Sequence, residues 1–124
     1  MSTPSKYRRA AVAALTLPLL TGGLIVATTQ AAHAACSHPA WQNYSPGAGR
    51  VTSTSPIRTG PSSDCGVVTN VGTAKDLFYH CWVENEAGNK WTHVRIANTN
   101  TMGWMYNGNL NDGGSVHPDN HCRA

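Results

Sequence analysis

Hydrophobic and polar residues alternate most clearly over residues 76–84. In a β-strand, side chains two positions apart point to the same face, so alternation separates a buried face from an outer one. We therefore predict the longest strand of the chain here. Its predicted core face carries Leu77, Tyr79, Cys81 and Val83, and its outer face carries Phe78, His80, Trp82 and Glu84.

Shorter stretches rich in β-branched and aromatic residues, bounded by glycine and polar turn residues, predict four further strands. They span residues 50–53, 65–71, 90–96 and 102–106. Residues 55–64 are predicted as a loop, because Pro56 and Pro61 fix their φ angles and Gly60 favours a turn. No stretch beyond residue 34 has the 3.6-residue period of a helix. We therefore predict an all-β domain, a small five-stranded barrel closed by Leu110.

The first 34 residues have the pattern of a secretory signal peptide. Lys6, Arg8 and Arg9 form a positive segment, an apolar stretch follows over residues 10–26, and small residues suit cleavage after Ala34. A retained transmembrane helix is disfavoured, because this stretch of about 17 residues is interrupted by threonine, proline and glycine. We therefore expect a secreted protein, extracellular or associated with the cell wall.

Cleavage of the signal peptide would change the charge of the chain. Nine lysines and arginines stand against six acidic residues, and three of the nine lie in the leader. The mature chain would therefore be neutral, so nothing in its composition favours nucleic acid or an anionic membrane as a partner. Its length of about 90 residues predicts a single small domain, expected to be a monomer.

The mature chain contains four cysteines, and an even number in an exported protein indicates disulfides. Spacing leaves all three pairings open; we favour Cys65–Cys81 within the body and Cys36–Cys122 as a clasp that joins the two ends. The chain has no C-x-x-C pair, and its cysteine–histidine spacing is irregular. We therefore expect neither a metal site nor another cofactor.

The histidines allow two further interpretations. The clasp would bring His38 near His117 and His121, where the three could hold a metal, but a solvated tail is favoured because Pro118 breaks helical spacing. His80 and His93 lie on neighbouring predicted strands and are expected as a cross-strand pair on the outer face. There they would contact a ligand, sense pH or simply lie at the surface.

Several motifs resemble those of bacterial SH3-like (SH3b) domains. They are the loop motif Arg58-Thr59-Gly60-Pro61-Ser62, the valine-rich strand that ends at Gly72, the Trp91-Thr92-His93-Val94 strand and the pair Gly103-Trp104. The resemblance covers roughly residues 49–110, between an irregular arm at 35–48 and a tail at 111–124. It implies a partly open, five-stranded barrel used for binding, commonly of cell-wall peptides.

Aromatic side chains are the main candidates for a binding groove. Trp82, Trp104 and Tyr106 supply rigid contact area with a polar tip, which suits extended peptides, and His80 lies on the same predicted face. The competing interpretation is that some of these rings only fill the core. Arg58 either contacts a ligand carboxylate or braces the loop that follows it, and bracing is favoured.

Catalysis has little support in the sequence. The cysteines are expected in disulfides, the acidic residues form no recognisable pair, and no phosphate-binding loop or serine elbow occurs. We therefore expect a secreted, non-catalytic module that binds cell-wall (peptidoglycan) peptides. The alternative is a secreted interaction factor or inhibitor that binds a partner protein.

Overall fold

The computed structural model describes residues 36–123. The predicted signal peptide, residues 1–34, lies outside this range. Among the described residues, no helix has the length and apolar character needed to cross a membrane.

Residues 36–123 form one antiparallel sheet of six strands, with two short 3-10 helices after it, and the all-β prediction is confirmed. The strands follow the spatial order β1-β4-β5-β6-β2-β3. Their bounds are β1 Ala48–Gly49, β2 Ser55–Arg58, β3 Val67–Val71, β4 Leu77–Glu84, β5 Lys90–Ile96 and β6 Met102–Tyr106, and the 3-10 helices span Asn107–Asn109 and Pro118–Asn120.

The three strands of the second half agree with prediction to within one residue, but the first half differs. The predicted strand at 50–53 is wrong, because Val51 forms only an isolated bridge with Leu110. The predicted loop at 55–64 is wrong over its first four residues, which form β2. Pro56 lies in β2 opposite Asn70; its fixed φ is compatible with an extended strand, although its nitrogen donates no hydrogen bond. The arm supplies β1, which makes six strands rather than five.

A β-bulge interrupts the alternation predicted for β4. Tyr79 pairs with Val94 and Cys81 pairs with His93, so His80 is the extra residue. A bulge places two successive residues opposite one partner, and the faces of the strand exchange beyond it. Tyr79 therefore faces the main core as predicted, whereas Cys81 lies on the opposite face.

The main core occupies one face of the sheet and receives side chains from every strand except β1. Burial of these side chains is the principal stabilising contribution to a domain of this size. A second cluster lies on the opposite face and contains Cys81, Trp91, Trp104 and Cys122, with Val83 packed against it. The main core consists of Val51, Ile57, Val71, Leu77, Tyr79, Val94, Met105 and Leu110.

The four cysteines form two disulfides, but the favoured pairing is wrong. Cys36 is bonded to Cys65 and Cys81 to Cys122. The bulge explains the second bond, because it turns Cys81 to the face over which the tail returns. The two bonds are compatible with an extracellular protein.

Backbone hydrogen bonds from the arm and the tail cover the outer edge of β4 beyond its pairing with β1. The amides of Tyr44 and Ser45 each donate to the His80 carbonyl at 2.8 Å, and the Cys122 amide donates to the Trp82 carbonyl at 2.9 Å. Unpaired strand edges invite association with other chains, so this cover protects β4. The opposite edge strand, β3, pairs only with β2.

Candidate functional site

The arm carries Trp41 across the second face of the sheet, where it lies flat on two histidine rings. The Trp41 ring is 4.7 Å from that of His80 and 4.2 Å from that of His93, with interplanar angles of 14° and 12°. His80 lies on the same face as its neighbour His93, as the alternation of β4 predicts, and the two rings form a joint platform. A hydrogen bond from the Gln42 amide to the Cys81 sulfur at 3.3 Å anchors the arm just beyond Trp41.

The two histidines share a hydrogen bond between their Nδ1 atoms at 2.9 Å. One Nδ1 must donate and the other accept, so the rings adopt different tautomers. Burial lowers the pKa of His93 to about 3, with repulsion from His80 adding to the effect. Burial and then the nearby Arg95 charge lower the pKa of His80. Both rings are therefore neutral at pH 7.

The structure does not gather the five predicted binding residues into one groove. His80 is only 4% exposed and Trp104 only 2%, so neither presents its ring to solvent, and the exposed position expected for His80 is wrong. Trp104 packs edge-on against His93 at 5.0 Å. Tyr106 is exposed and leans on Trp91 at 5.6 Å. Ligand binding by these residues stays a prediction.

Trp82 is partly covered by the tail. Its Nε1 donates to the His117 carbonyl at 2.8 Å, and the His121 ring meets it edge-on at 4.7 Å. The Lys90 ammonium lies 5.7 Å from the ring. Trp82 therefore holds the tail in place and offers only part of its surface to a ligand.

Arg58 braces the loop between β2 and β3. Its Nη1 donates to the Cys65 carbonyl at 2.9 Å. This contact corresponds to the bracing role favoured from the sequence. It fixes the carbonyl of Cys65, whose sulfur is bonded to Cys36.

Replacing Arg58 with methionine should lower the free energy of unfolding by about 1–2 kcal/mol, because a charge-assisted hydrogen bond is lost while the aliphatic stem remains. Urea unfolding of the two proteins measures this difference. A variant with unchanged stability but lost ligand binding would show that Arg58 is a ligand contact.

Trp41 and Phe78 expose aromatic surface beside the histidine platform, and neither was among the binding residues predicted from the sequence. Phe78 pairs with Arg95, and Arg95 with Met102, across β4, β5 and β6. Trp41 is 41% exposed and Phe78 40%. We call Trp41, Phe78, Arg95 and Met102 the outer patch. The alternation of β4 did place Phe78 on the outer face, and this was the available signal.

A shallow groove of about 270 Å³ lies between the end of the arm and the tail. At its floor the Tyr79 hydroxyl donates to Asp112 Oδ1 at 2.6 Å, and the Gly114 amide donates to the same oxygen at 3.0 Å. Burial and the hydrogen-bonded Asp112 carboxylate raise the pKa of Tyr79. The groove therefore contains a neutral phenol that ties the tail to the main core.

The histidines considered for a terminal metal site are dispersed. His38 Nδ1 lies 3.1 Å from the Thr59 carbonyl, whereas His121 packs on Trp82 and His117 approaches Asp119. Cys36 is bonded to Cys65 rather than to Cys122, so the disulfide that was expected to bring His38 to the tail does not form. Within residues 36–123, no three histidine, cysteine or acidic side chains form a group that could hold a metal ion.

Comparison of the chain with protein-family models, with curated proteins and with solved structures found no match.

Proposed function

We propose that the mature chain is an exported, non-catalytic binding module that recognises cell-wall peptides through the outer patch. The observation that carries this proposal is a pair of half-exposed aromatic rings on one face of the sheet: Trp41 lies on the histidine platform, and Phe78 lies beside Arg95. Rigid aromatic side chains provide contact area at a low cost in conformational entropy. The two disulfides and the paired strands hold the patch in one conformation before a ligand arrives, which favours binding.

We further propose that the six-stranded sheet curves into an SH3-like, partly open barrel. Val71 of edge strand β3 belongs to the same buried cluster as Leu77 and Tyr79 of β4, although three strands separate β3 from β4 in the sheet. Strong curvature brings such distant strands around one core, and β-bulges promote it. Bulges occur in both β3 and β4.

The sequence motifs that resemble SH3b domains also meet in space, which supports the proposal further. Arg58 of the loop motif pairs with Trp104 across β2 and β6. A Cβ at Gly103 would lie 2.6 Å from the Arg58 carbonyl oxygen, which is closer than real Cβ contacts allow. Glycine is therefore required where the two motifs touch.

A non-catalytic role is consistent with the bonding of the cysteine and histidine side chains, the usual nucleophiles and bases of enzymes. All four cysteines are in disulfides, so no thiolate is available. His80 and His93 hydrogen-bond each other beneath Trp41 instead of activating a hydroxyl group.

Retention of the mature protein on purified peptidoglycan tests the proposal. We expect the wild-type protein to be retained and Phe78→Ala to bind about tenfold more weakly, as for an aromatic anchor in an interface. Tyr106→Ala is the matched comparison, because Tyr106 is also an exposed ring but lies outside the outer patch: unchanged retention would assign binding to the outer patch, and weakened retention would assign it to the groove predicted from the sequence. If the wild-type protein is not retained on peptidoglycan while a known wall-binding protein is, wall recognition is excluded.

One observation favours binding to a partner protein as a second candidate. The edge strand β3 exposes Val67 by 50% and Val68, its bulged residue, by 44%. Exposed edges accept a further strand from another protein. If the wall is the ligand, Val68→Lys should leave retention on peptidoglycan unchanged. If the wild-type protein is not retained on the wall but captures one stoichiometric protein from the culture medium, and Val68→Lys abolishes that capture, the second function is correct.

A further inference from the structure

We infer that Arg95 recognises a free carboxylate of the bound peptide, while Phe78 and Trp41 contact an apolar group close to that carboxylate. This inference rests on the proposed function, because it names the chemistry of the ligand at the same patch.

Arg95 has no carboxylate partner within the described part of the chain, in contrast to two other cations. Arg50 lies 2.7 Å from Asp76 and Lys90 lies 3.8 Å from Glu84. No acidic side chain among residues 36–123 lies within 4.0 Å of Arg95. Its charge is thus not neutralised by the residues described.

The Arg95 guanidinium makes two weak contacts, which leave most of its N–H donors available to a ligand. Its Nη1 donates to the Thr99 carbonyl at 3.1 Å, and its Cζ lies 5.2 Å from the centre of the Phe78 ring. A guanidinium has five N–H donors, so this contact leaves room for a bidentate carboxylate. A guanidinium can stack on an aromatic ring through its flat face and bind a planar anion through the N–H groups at its edge, so the two contacts are compatible.

The positive charge of the patch is concentrated on Arg95. His80 and His93 are neutral at pH 7, because burial lowers the pKa of both. The other groups at the surface of the patch, Trp41, Phe78 and Met102, are uncharged. A ligand that carries one negative charge beside apolar atoms therefore complements this surface, whereas a cationic ligand does not.

The spacing of the patch suits a short extended peptide. Arg95 lies two residues beyond His93 on β5, a distance of about 7 Å along a strand, and Trp41 covers His93. Two residues of an extended ligand span the same distance. The carboxylate can therefore reach Arg95 while a side chain about two residues away lies on Trp41.

Binding of soluble stem peptides, released from purified peptidoglycan, tests this inference by calorimetric titration before and after their carboxylates are converted to amides. We expect amidation to weaken binding to the wild-type protein by about 10- to 100-fold, as for a hydrogen bond to a charged group. Arg95→Gln should weaken binding of the unmodified peptides by a similar factor and make amidation almost without effect. Arg95→Lys, which keeps the charge but loses the planar fork, should be intermediate.

Lys90→Gln is the matched control, because it removes one positive charge from the opposite end of β5 beside Trp82. Its affinity should equal that of the wild type. Competition with the dipeptide alanyl-alanine, either free or amidated at its C-terminus, then identifies which carboxylate is bound. If only the free dipeptide competes, Arg95 binds a terminal carboxylate. If neither dipeptide competes but amidation of the stem peptides still weakens binding, Arg95 binds a side-chain carboxylate.

The outcomes separate the inference from the proposed function. Equal binding of native and amidated peptides by the wild-type protein would overturn the role of Arg95 and leave wall recognition intact. Failure to bind either form, together with loss of retention on intact peptidoglycan, would overturn both. Weakening by Lys90→Gln but not by Arg95→Gln would move the site to the surface around Trp82.

Discussion

Replacing Cys81 and Cys122 together with alanine should lower the free energy of unfolding by at least about 4 kcal/mol. The disulfide between them closes a loop with a sequence separation of 41 residues, for which the chain-entropy model gives a stabilisation of about 4 kcal/mol. Cys81 is also fully buried against Trp91 and Trp104, so its truncation leaves a cavity at an additional cost. A domain of this size has only about 5–13 kcal/mol in total.

The Cys36–Cys65 bond provides the matched comparison. Its sequence separation is 29 residues, for which the same model gives slightly less than 4 kcal/mol. Cys36 is partly exposed, and Cys65 is buried but belongs to neither hydrophobic cluster, so the double alanine variant should lose the entropic contribution with a smaller cavity cost. Urea unfolding of the two variants measures the difference, and peptide mapping without reduction first verifies both linkages in the wild type. Equal losses, or a larger loss from Cys36 and Cys65, would contradict the importance assigned to the second cluster.

The disulfide between Cys81 and Cys122 depends on one feature that the sequence does not reveal. Alternation correctly located β4 and placed Tyr79 in the core, because both depend on local pattern. The additional residue at His80 depends on how β4 pairs with β5, which is a long-range property. Once the bulge exchanges the faces, Cys81 points away from the main core and toward the tail that carries Cys122. Spacing had left all three pairings open, and the bulge is the feature that favours Cys122 as the partner of Cys81.

Pro56 caused the other error in the fold, for a different reason. Proline usually marks a loop or the edge of a sheet, and a proline in a strand between two others is uncommon. Here it lies in β2 beside Ile57, a fully buried core residue. The apolar residue was visible in the sequence, but the proline and glycine around it outweighed that signal. The burial of a whole strand depends on its neighbours and not on its own propensities.

The candidate site was predictable only in its parts. Phe78 was expected on the outer face of β4, and His80 beside His93. The sequence could not show that Trp41 crosses to those two histidines, because the arm has no periodic pattern of its own. Its path is fixed by long-range contacts, including the Gln42 side chain, whose Oε1 accepts from the Arg123 amide at 2.9 Å. The outer patch therefore exists only after the arm has folded.

Acidification from pH 7 to pH 4 should lower the free energy of unfolding by about 3 kcal/mol through His93 alone. The folded pKa of about 3 lies below the ordinary value of 6.5, so the unfolded chain binds more protons between these two values. The stability is fully present above about pH 6.5 and is lost as the pH falls toward 3. His80 acts in the same direction because its pKa is also lowered. Urea unfolding at a series of pH values measures the slope.

His93→Asn tests whether the paired rings are the source of that slope. Asparagine keeps a polar atom near the position of Nδ1, so it can still hydrogen-bond His80, but it does not titrate. The variant should lose most of the pH dependence and retain the smaller part due to His80, whereas His117→Asn, at an exposed position of the tail, should behave as the wild type. An unchanged slope in His93→Asn would place the sensitivity elsewhere in the chain.

The same titration links the fold to the outer patch. Protonation of both rings breaks their Nδ1–Nδ1 hydrogen bond, because neither nitrogen can then accept, and it puts two charges beside Arg95. Trp41 rests on both rings, so its fluorescence in the folded protein should change only as the pH approaches 3, where His93 of the folded chain takes up a proton, and binding through the patch should weaken over the same range. If the folded protein keeps both its neutral-pH Trp41 fluorescence and its ligand at about pH 3, the platform does not control the patch.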